Sequence, residues 1–496
     1  MTGERRPNVL LIVSDQERQR GWLPSSVELP HRQRLIDEGI EFTQFHTHTS
    51  PCSPSRATLF TGQYVPQHGV PENVIHPGVH AELDPAVPTL GHIARAQGYR
   101  SSYLGKWHLS HAAEPDMDAY GFSDWQGNDK HYMGWAGTGM AFDPVIADQA
   151  VNWLGAHGGQ AEPWMLTVAL VNPHDVMWFP MDQPDWRAQH PDQLEFSRRL
   201  LGSARWKDGD VVPAYDEPIP EIFDALPENF SDDLFTKPEV QRAWLYEQQH
   251  WIYGSIDHQD PRSWIRQLDY YAALHRHGDD NLGDVLAALD ASGAADNTIV
   301  IFTSDHGDQC GSHGLRSKGP WIYDETMRIP LYIRVPGMTQ PGTSTSALAT
   351  HVDLATTIGL LMGADREELQ TFRGMDLRQV LSAPETPGRD HILFAQDSAW
   401  YESCIQTRYA IRGIYDGRHK YARYYGVGGS TTPFGTKWPK PKRYDVDAAF
   451  EDHDHEWYDL AEDPGELVNL ANDRGRRAEL RSHFDRLLAA EAIEFA

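Results

Sequence analysis

Basic side chains are scarce in this sequence: 43 lysines and arginines stand against 71 aspartates and glutamates, a formal net charge of −28 over 496 residues. So acidic a surface repels other polyanions, which argues against nucleic acid or an anionic membrane surface as partner. Cysteine is scarcer still. Cys52, Cys310 and Cys404 are the full set, too few for a disulfide framework. No apolar stretch approaches the length of a membrane span. The opening residues 1–7 are short and polar, and the apolar run at 9–13 is too short for a signal segment and lacks a small-residue cleavage site. These absences lead to the expectation of a soluble, cytoplasmic protein.

What is present is ordinary in bulk, with 40% hydrophobic, 11% aromatic and 23% charged residues. The length exceeds what one hydrophobic core serves, so a large domain over 1–385 and a smaller one over 386–496 are expected. Four apolar, β-rich runs stand out, at residues 9–13, 99–104, 165–171 and 298–302. They are continuous rather than alternating, as in strands buried on both faces. Helical patterns lie between them at 30–38, 88–97 and 261–289. Strands alternating with helices imply an α/β fold with a mainly parallel sheet, whose site lies at the carboxyl ends of the strands.

The residues that follow each run matter more than the runs. The first leads to Asp15 and Gln16, the second to Lys106 and His108, the third to His174, and the fourth to Asp305 and His306. Four strand ends each delivering a metal ligand or a proton-transfer group should converge. Residues 176–261, rich in Trp, Pro and Asp, read as an excursion that either shapes a pocket over this edge or merely covers it. Beyond 363, short runs at 391–394, 409–412 and 420–424 look like antiparallel strands, followed by a loop over 426–442 and a terminal helix over 473–490.

The segment Pro51-Cys52-Ser53-Pro54-Ser55-Arg56 focuses these expectations. Ser53 is a good N-cap and Pro54 suits the first helical position, so a helix is expected to start directly after Cys52. A thiol at a helix N-terminus, with Arg56 one turn on, has a depressed pKa and is reactive.

Cys52-x-Pro54-Ser55-Arg56 followed by Thr61-Gly62 resembles the signature of type I sulfatases, in which the cysteine is oxidised to formylglycine. The likeness extends along the chain: the first strand ending at Asp15, Gly105-Lys106-Trp107-His108, Ser304-Asp305-His306-Gly307, residues 311–318 ending in Lys318, and a C-terminal segment over 457–470. The resemblance implies an alkaline-phosphatase-like α/β fold: a mainly parallel sheet flanked by helices, with a smaller C-terminal α+β subdomain. It further implies a sulfatase that hydrolyses sulfate monoesters with one divalent metal.

By the same resemblance Asp15, Gln16, Asp305 and His306 are metal ligands together with matured Cys52. Lys106 and Lys318 hold the sulfate oxygens. His174, with Lys318, supplies the leaving-group proton, His108 is the base that releases sulfate, Asp305 helps deprotonate the attacking hydroxyl, and Arg56 steadies the centre. Many relatives carry aspartate and asparagine where this chain has Gln16 and His306. The Gln/His pattern resembles the choline-sulfatase and phosphonate-monoester-hydrolase branches. Oxygen-rich shells suit Ca²⁺ or Mg²⁺ and an imidazole shifts preference toward Mn²⁺; Ca²⁺ stands first. The implied partners are a small anionic ester and a formylglycine-generating maturation system, and a homo-oligomer is compatible with the sequence.

Three rivals are weighed: a phosphonate monoester or phosphodiester hydrolase on the same machinery, a non-catalytic binder, and a cysteine hydrolase pairing Cys52 with His108. Among the remaining candidates, Cys310 and Cys404 read as structural and Asp279 with Asp280 as a solvated helix face. His313 is either near the metal or held by backbone. The aromatic stretch at 125–135 either lines the pocket or packs.

Overall fold

A computed structural model describes residues 6–74, 81–111, 117–127, 134, 136–181, 183–192, 218–250, 253–397, 407–427 and 445–496. Most of the aromatic stretch at 125–135, Trp206, Cys404 and most of the loop at 426–442 lie outside the described residues.

In chain order the strands are β1 (Asn8–Asp15), β2 (Ile40–Phe42), β3 (Phe45–His46), β4 (Arg100–Gly105), β5 (Trp164–Pro173), β6 (Thr298–Ser304), β7 (Leu331–Arg334), β8 (Thr343–Thr345), β9 (Ala349–Thr350), β10 (Ile392–Gln396), β11 (Ala410–Tyr415), β12 (His419–Tyr425) and β13 (Asp454–Asp459). The helices that matter below are α1 (Pro30–Glu38), α2 (Cys52–Thr61), α3 (Leu90–Ala96), α4 (Thr138–His157), α5 (Glu239–His250), α6 (Pro261–Ala291), α7 (His351–Leu361) and α8 (Arg477–Glu494). None of the described helices is long and apolar enough to cross a membrane.

The main sheet runs β4-β5-β1-β6-β7-β2-β8, and only β7 is antiparallel to its neighbours. Every residue of β1 is buried, and alternate side chains serve opposite layers. Val9, Leu11 and Val13 join a core with residues of α2, α3 and α7, while Leu10 and Ile12 join one with α1, α4 and α6. The apolar run is continuous because both faces are covered, as expected from the sequence.

A second sheet, β10-β11-β12-β13, is antiparallel throughout. α8 packs Leu480, Phe484 and Leu487 against one face, next to Leu393, Tyr421 and Trp457. The other face shares a core with Met177, Trp178, Trp244 and Trp321, so the excursion at 176–261 ties the small sheet to the edge of the large one. The pairing of β13 with β12 shows that Trp457 and Tyr458 sit on a strand, which their spacing alone does not announce.

Two local expectations are corrected. Ser53 is not the N-cap of α2: the helix starts at Cys52, with Pro51 before it and no side-chain cap. The Ser53 hydroxyl donates instead to the His108 carbonyl at 2.6 Å and accepts from Val74 N at 3.0 Å. Asp279 is not solvated. It is buried, accepts from the first backbone N–H groups of α1 at His31 and Arg32, and pairs with Arg32 at 3.0 Å. It thus caps a helix that has no side-chain cap of its own.

Candidate active site

β1 and β6 pair in register through Ser14 and Ser304, so Asp15 and Asp305 leave the same sheet edge side by side. On the other flank Gly105, at the end of β4, takes φ +92° and its missing Cβ would lie 2.0 Å from the Ala169 carbonyl oxygen. Only glycine turns the chain there closely enough to aim Lys106 back across the edge. Gln16 and His108 also take left-handed φ values of 67° and 60°. Such conformations are uncommon outside glycine and cluster where a site dictates geometry.

The side chains converge. Donor atoms of Asp15, Cys52, Asp305 and His306 all lie within 4.8 Å of one another, and all four residues are buried. Cys52 Sγ is 3.3 Å from His306 Nε2 and 3.7 Å from Asp15 Oδ1. Arg56 spans the two carboxylates, donating from Nη2 to Asp15 at 2.8 Å and from Nε to Asp305 at 3.0 Å. Its Nη1 donates to the Lys106 carbonyl at 2.9 Å. Lys106 Nζ reaches Asp15 at 2.7 Å. Lys318 Nζ donates to His174 Nε2 at 2.8 Å and also to Gln16 Oε1. His108 is brought over the first turn of α2 by the Ser53 hydroxyl that its carbonyl accepts.

Electrostatics follow from this packing. Burial works to raise the pKa of Asp15, but Lys106, Arg56 and Lys318 override it and hold the carboxyl well below its usual range. Burial and the charge of Asp15 push Asp305 up. At Cys52 burial and Asp15 oppose ionisation, and Lys106, Lys318 and His306 outweigh them, so the thiol is lowered. Burial, Lys318 and Lys106 hold His174 well below the usual imidazole range, so it is neutral. Two carboxylates, an imidazole and the Cys52 side chain at one buried spot are a group that could hold a divalent cation, and the mutual repulsion that raises Asp305 is what such a charge relieves.

The excursion shapes this centre by gripping the loop that carries Lys318. From α5, Trp244 Nε1 donates to the Arg316 carbonyl at 3.2 Å and Gln248 accepts from Arg316 N at 2.9 Å. Arg316 Nη1 donates to the Gly254 carbonyl at 2.8 Å. His313 stays with this scaffold rather than with the carboxylates. It stacks on Tyr323 with ring centroids 3.8 Å apart and meets Asp232 at 2.8 Å. Cys310 is a buried free thiol pushed well up by burial.

Several residues at this edge escape a reading of the sequence. Asp143 in α4 accepts from the backbone of Val171 and Asn172, and Asp175 accepts from Gly139 and Met140 at the start of α4. This reciprocal clamp fixes the end of β5 and with it His174. His351, at the start of α7, faces the Ser304 carbonyl at 2.9 Å and the Ser55 hydroxyl at 3.3 Å, tying α2 to β6. No motif marks these residues; each works through a partner far away in sequence.

A mainly parallel sheet with converging carboxylates and cations at its carboxyl edge has the alkaline-phosphatase-like architecture. Residues 7–364 match the family model described as Sulfatase, and residues 311–432 match that of the C-terminal region of N-sulphoglucosamine sulphohydrolase. The chain belongs to the sulfatase family and is a sulfuric ester hydrolase, acting on sulfate monoesters. An uncharacterized sulfatase of Escherichia coli is 26% identical over 74% of this chain and 69% of its own. An N-acetylglucosamine-6-O-sulfatase of Bacteroides thetaiotaomicron is 25% identical over 94% of this chain and 83% of its own. The crystal structure of a phosphonate monoester hydrolase of Agrobacterium radiobacter superposes with a TM-score of 0.68 at 23% identity, over 98% of this chain and 96% of that one. That last likeness is one of fold.

Proposed function

We propose that the chain cleaves the ester S–O bond through Cys52 matured to formylglycine, with one divalent cation, Ca²⁺ first, held by Asp15, Gln16, Asp305, His306 and the matured side chain. The observation that carries this reading is the gathering of Cys52, Asp15, Asp305 and His306 within 4.8 Å, beneath a guanidinium that contacts both carboxylates. A hydrated aldehyde at position 52 would supply an oxygen nucleophile, which the thiol does not. The cation would supply Lewis acidity to that hydroxyl and to the ester oxygens.

The chain's own residues do the rest. Lys106 and Lys318 place ammonium groups where the oxygens of an anionic ester gather charge. Neutral His174 accepts from Lys318 at 2.8 Å, and the proton for the leaving oxygen is drawn from this pair. His108 is the base assigned to sulfate release. Asp305 takes up the proton of the attacking group, and Arg56 holds both carboxylates in register. A cytoplasmic setting, supported by the scarcity of cysteine, and a host maturation system acting on Cys52 complete the reading.

Protein with verified formylglycine, loaded with Ca²⁺, tests it in a panel of an aryl sulfate and the matching aryl phosphonate monoester. A higher kcat/KM for the sulfate is expected. Preference for the phosphonate would move the substrate class to the branch whose Gln/His pattern the chain shares, and turnover of neither would overturn the mechanism.

Gly134 offers a sharper test of His174. Its φ is +90°, and a Cβ there would lie 2.4 Å from His174 Cε1 and Nδ1. Gly134→Ala is expected to displace the ring and lower kcat by about 10²-fold for an alkyl sulfate. The loss should be smaller for an activated aryl sulfate, whose leaving group needs less proton donation. Equal losses on both substrates would remove His174 from the proton path.

A further inference from the structure

We propose that Asp308 is a positioning residue for the cation site: it fixes which end of the Gln16 carboxamide faces the cation. This rests on the cation site proposed above. A glutamine has two nearly isosteric ends, one an acceptor that can ligate a cation and one a donor that cannot. Where many relatives have a carboxylate with two equivalent oxygens, this chain must also choose an orientation.

Asp308 makes the choice. Its Oδ2 accepts from Gln16 Nε2, and its Oδ1 accepts from the Cys310 backbone N–H at 2.6 Å. A carboxylate offers only acceptors, so the nitrogen end of Gln16 must turn toward residue 308 and the oxygen end away from it. That oxygen meets Lys318 Nζ, and the Gln16 backbone N–H donates to Asp305 Oδ1 at 3.1 Å, which places residue 16 against the group formed by Asp15, Cys52, Asp305 and His306. Lys318 adds a donor to the same oxygen, so both neighbours select one orientation. Asp308 is fully buried and makes no ion pair among the described residues. Its hydrogen-bond partners among the described residues are the Gln16 amide and the Cys310 N–H, and a buried carboxylate is costly. A divalent charge bound nearby would offset part of that cost.

The alternative is that Asp308 only shapes its own turn through Cys310. Asp308→Asn separates the two, because its Oδ1 keeps the Cys310 bond while its Nδ2 confronts the Gln16 Nε2, two donors face to face. Gln16 then rotates and presents nitrogen to the cation. Calorimetric titration of the chelator-treated full-length protein with Ca²⁺ reads the effect. Asp308→Asn is expected to raise Kd roughly 10- to 100-fold, with the urea midpoint of the metal-free protein unchanged. In a Gln16→Met background the same substitution should change Kd by no more than about twofold, the scatter of independent sites.

Unaltered Ca²⁺ affinity in Asp308→Asn overturns the proposal. So does a full loss that persists in the Gln16→Met background, since Asp308 would then act by charge alone. A shifted urea midpoint in the metal-free variant would assign Asp308 to the turn. If the unsubstituted protein binds neither Ca²⁺ nor Mn²⁺, the cation reading itself fails, and this proposal with it.

Discussion

Alanine at position 52 is expected to lower kcat/KM for a sulfate ester by roughly 10⁴-fold or more, while sulfate still binds as a product inhibitor. The residue is buried at the first position of α2, and its neighbours Lys106, Lys318 and His306 act on its charge state. Lys106 directly follows β4 and Lys318 sits on the loop gripped from α5, so the two ammonium groups proposed to hold the anion are expected to survive the substitution. What is lost is the atom that attacks. The same residue also separates two chemistries. A thiol already lowered by three cationic neighbours could act as an ordinary cysteine nucleophile, in which case turnover would follow the unmodified fraction and vanish on alkylation. The formylglycine reading requires the reverse. Across preparations of differing maturation, kcat should rise in proportion to the aldehyde fraction measured with an aminooxy probe, with no activity at zero aldehyde. Residual activity in fully unmodified protein would sink it.

The central sheet was legible because burial on both faces leaves a continuous apolar run, and the ends of β1, β4, β5 and β6 each carry chemistry-bearing residues directly after the run. α1 and α6 were legible from their periodicity. α4 was not: it holds Pro144 within its body and Gly139 near its start, which read as breakers. Its first N–H groups, at Gly139 and Met140, are taken by Asp175, a cap supplied from beyond the helix that its own sequence does not announce. α7 was hidden by Val352, Thr356, Thr357 and Ile358, β-branched residues that favour strands until tertiary packing decides. Every residue of α7 but Leu361 is buried.

The site divides along the same line. Asp15, Cys52, Asp305 and His306 belong to short local motifs, and the structure brings them together. Asp308 directly follows the Ser304–Gly307 motif without belonging to it, and its contact with Gln16, 292 residues away in sequence, appears only in the fold. Asp143 and Asp175 work through backbone groups that the sequence does not pair. Ser53 misled because a serine before a proline is a common helix start. Here the Ser53 hydroxyl is committed to the His108 carbonyl, so the local capping rule yields to a contact between the first turn of α2 and the segment after β4.

Arg56→Met is expected to destabilise the metal-free protein by about 3–5 kcal/mol, the cost of leaving buried carboxylates without their partner. Arg56 has no exposed surface and lies 2.8 Å from Asp15 and 3.0 Å from Asp305. Without it Asp15 keeps Lys106 at 2.7 Å, but the ion-pair partner shown for Asp305 among the described residues is then His306, at 3.7 Å. Asp305 is already raised by burial and Asp15, so it has no reserve against a further loss of positive charge. Arg56→Lys keeps the charge but not the fork that reaches two carboxylates and the Lys106 carbonyl at once, and should fall between the two. Urea unfolding in chelator measures the loss, and repeating it in saturating Ca²⁺ tests its cause. A cation bound between Asp15 and Asp305 takes over part of the neutralisation, so the stabilisation by Ca²⁺ should be larger in Arg56→Met than in the unsubstituted protein. An equal or smaller increment would mean that the guanidinium and the cation do not share those carboxylates, and the shared electrostatic centre would have to be abandoned.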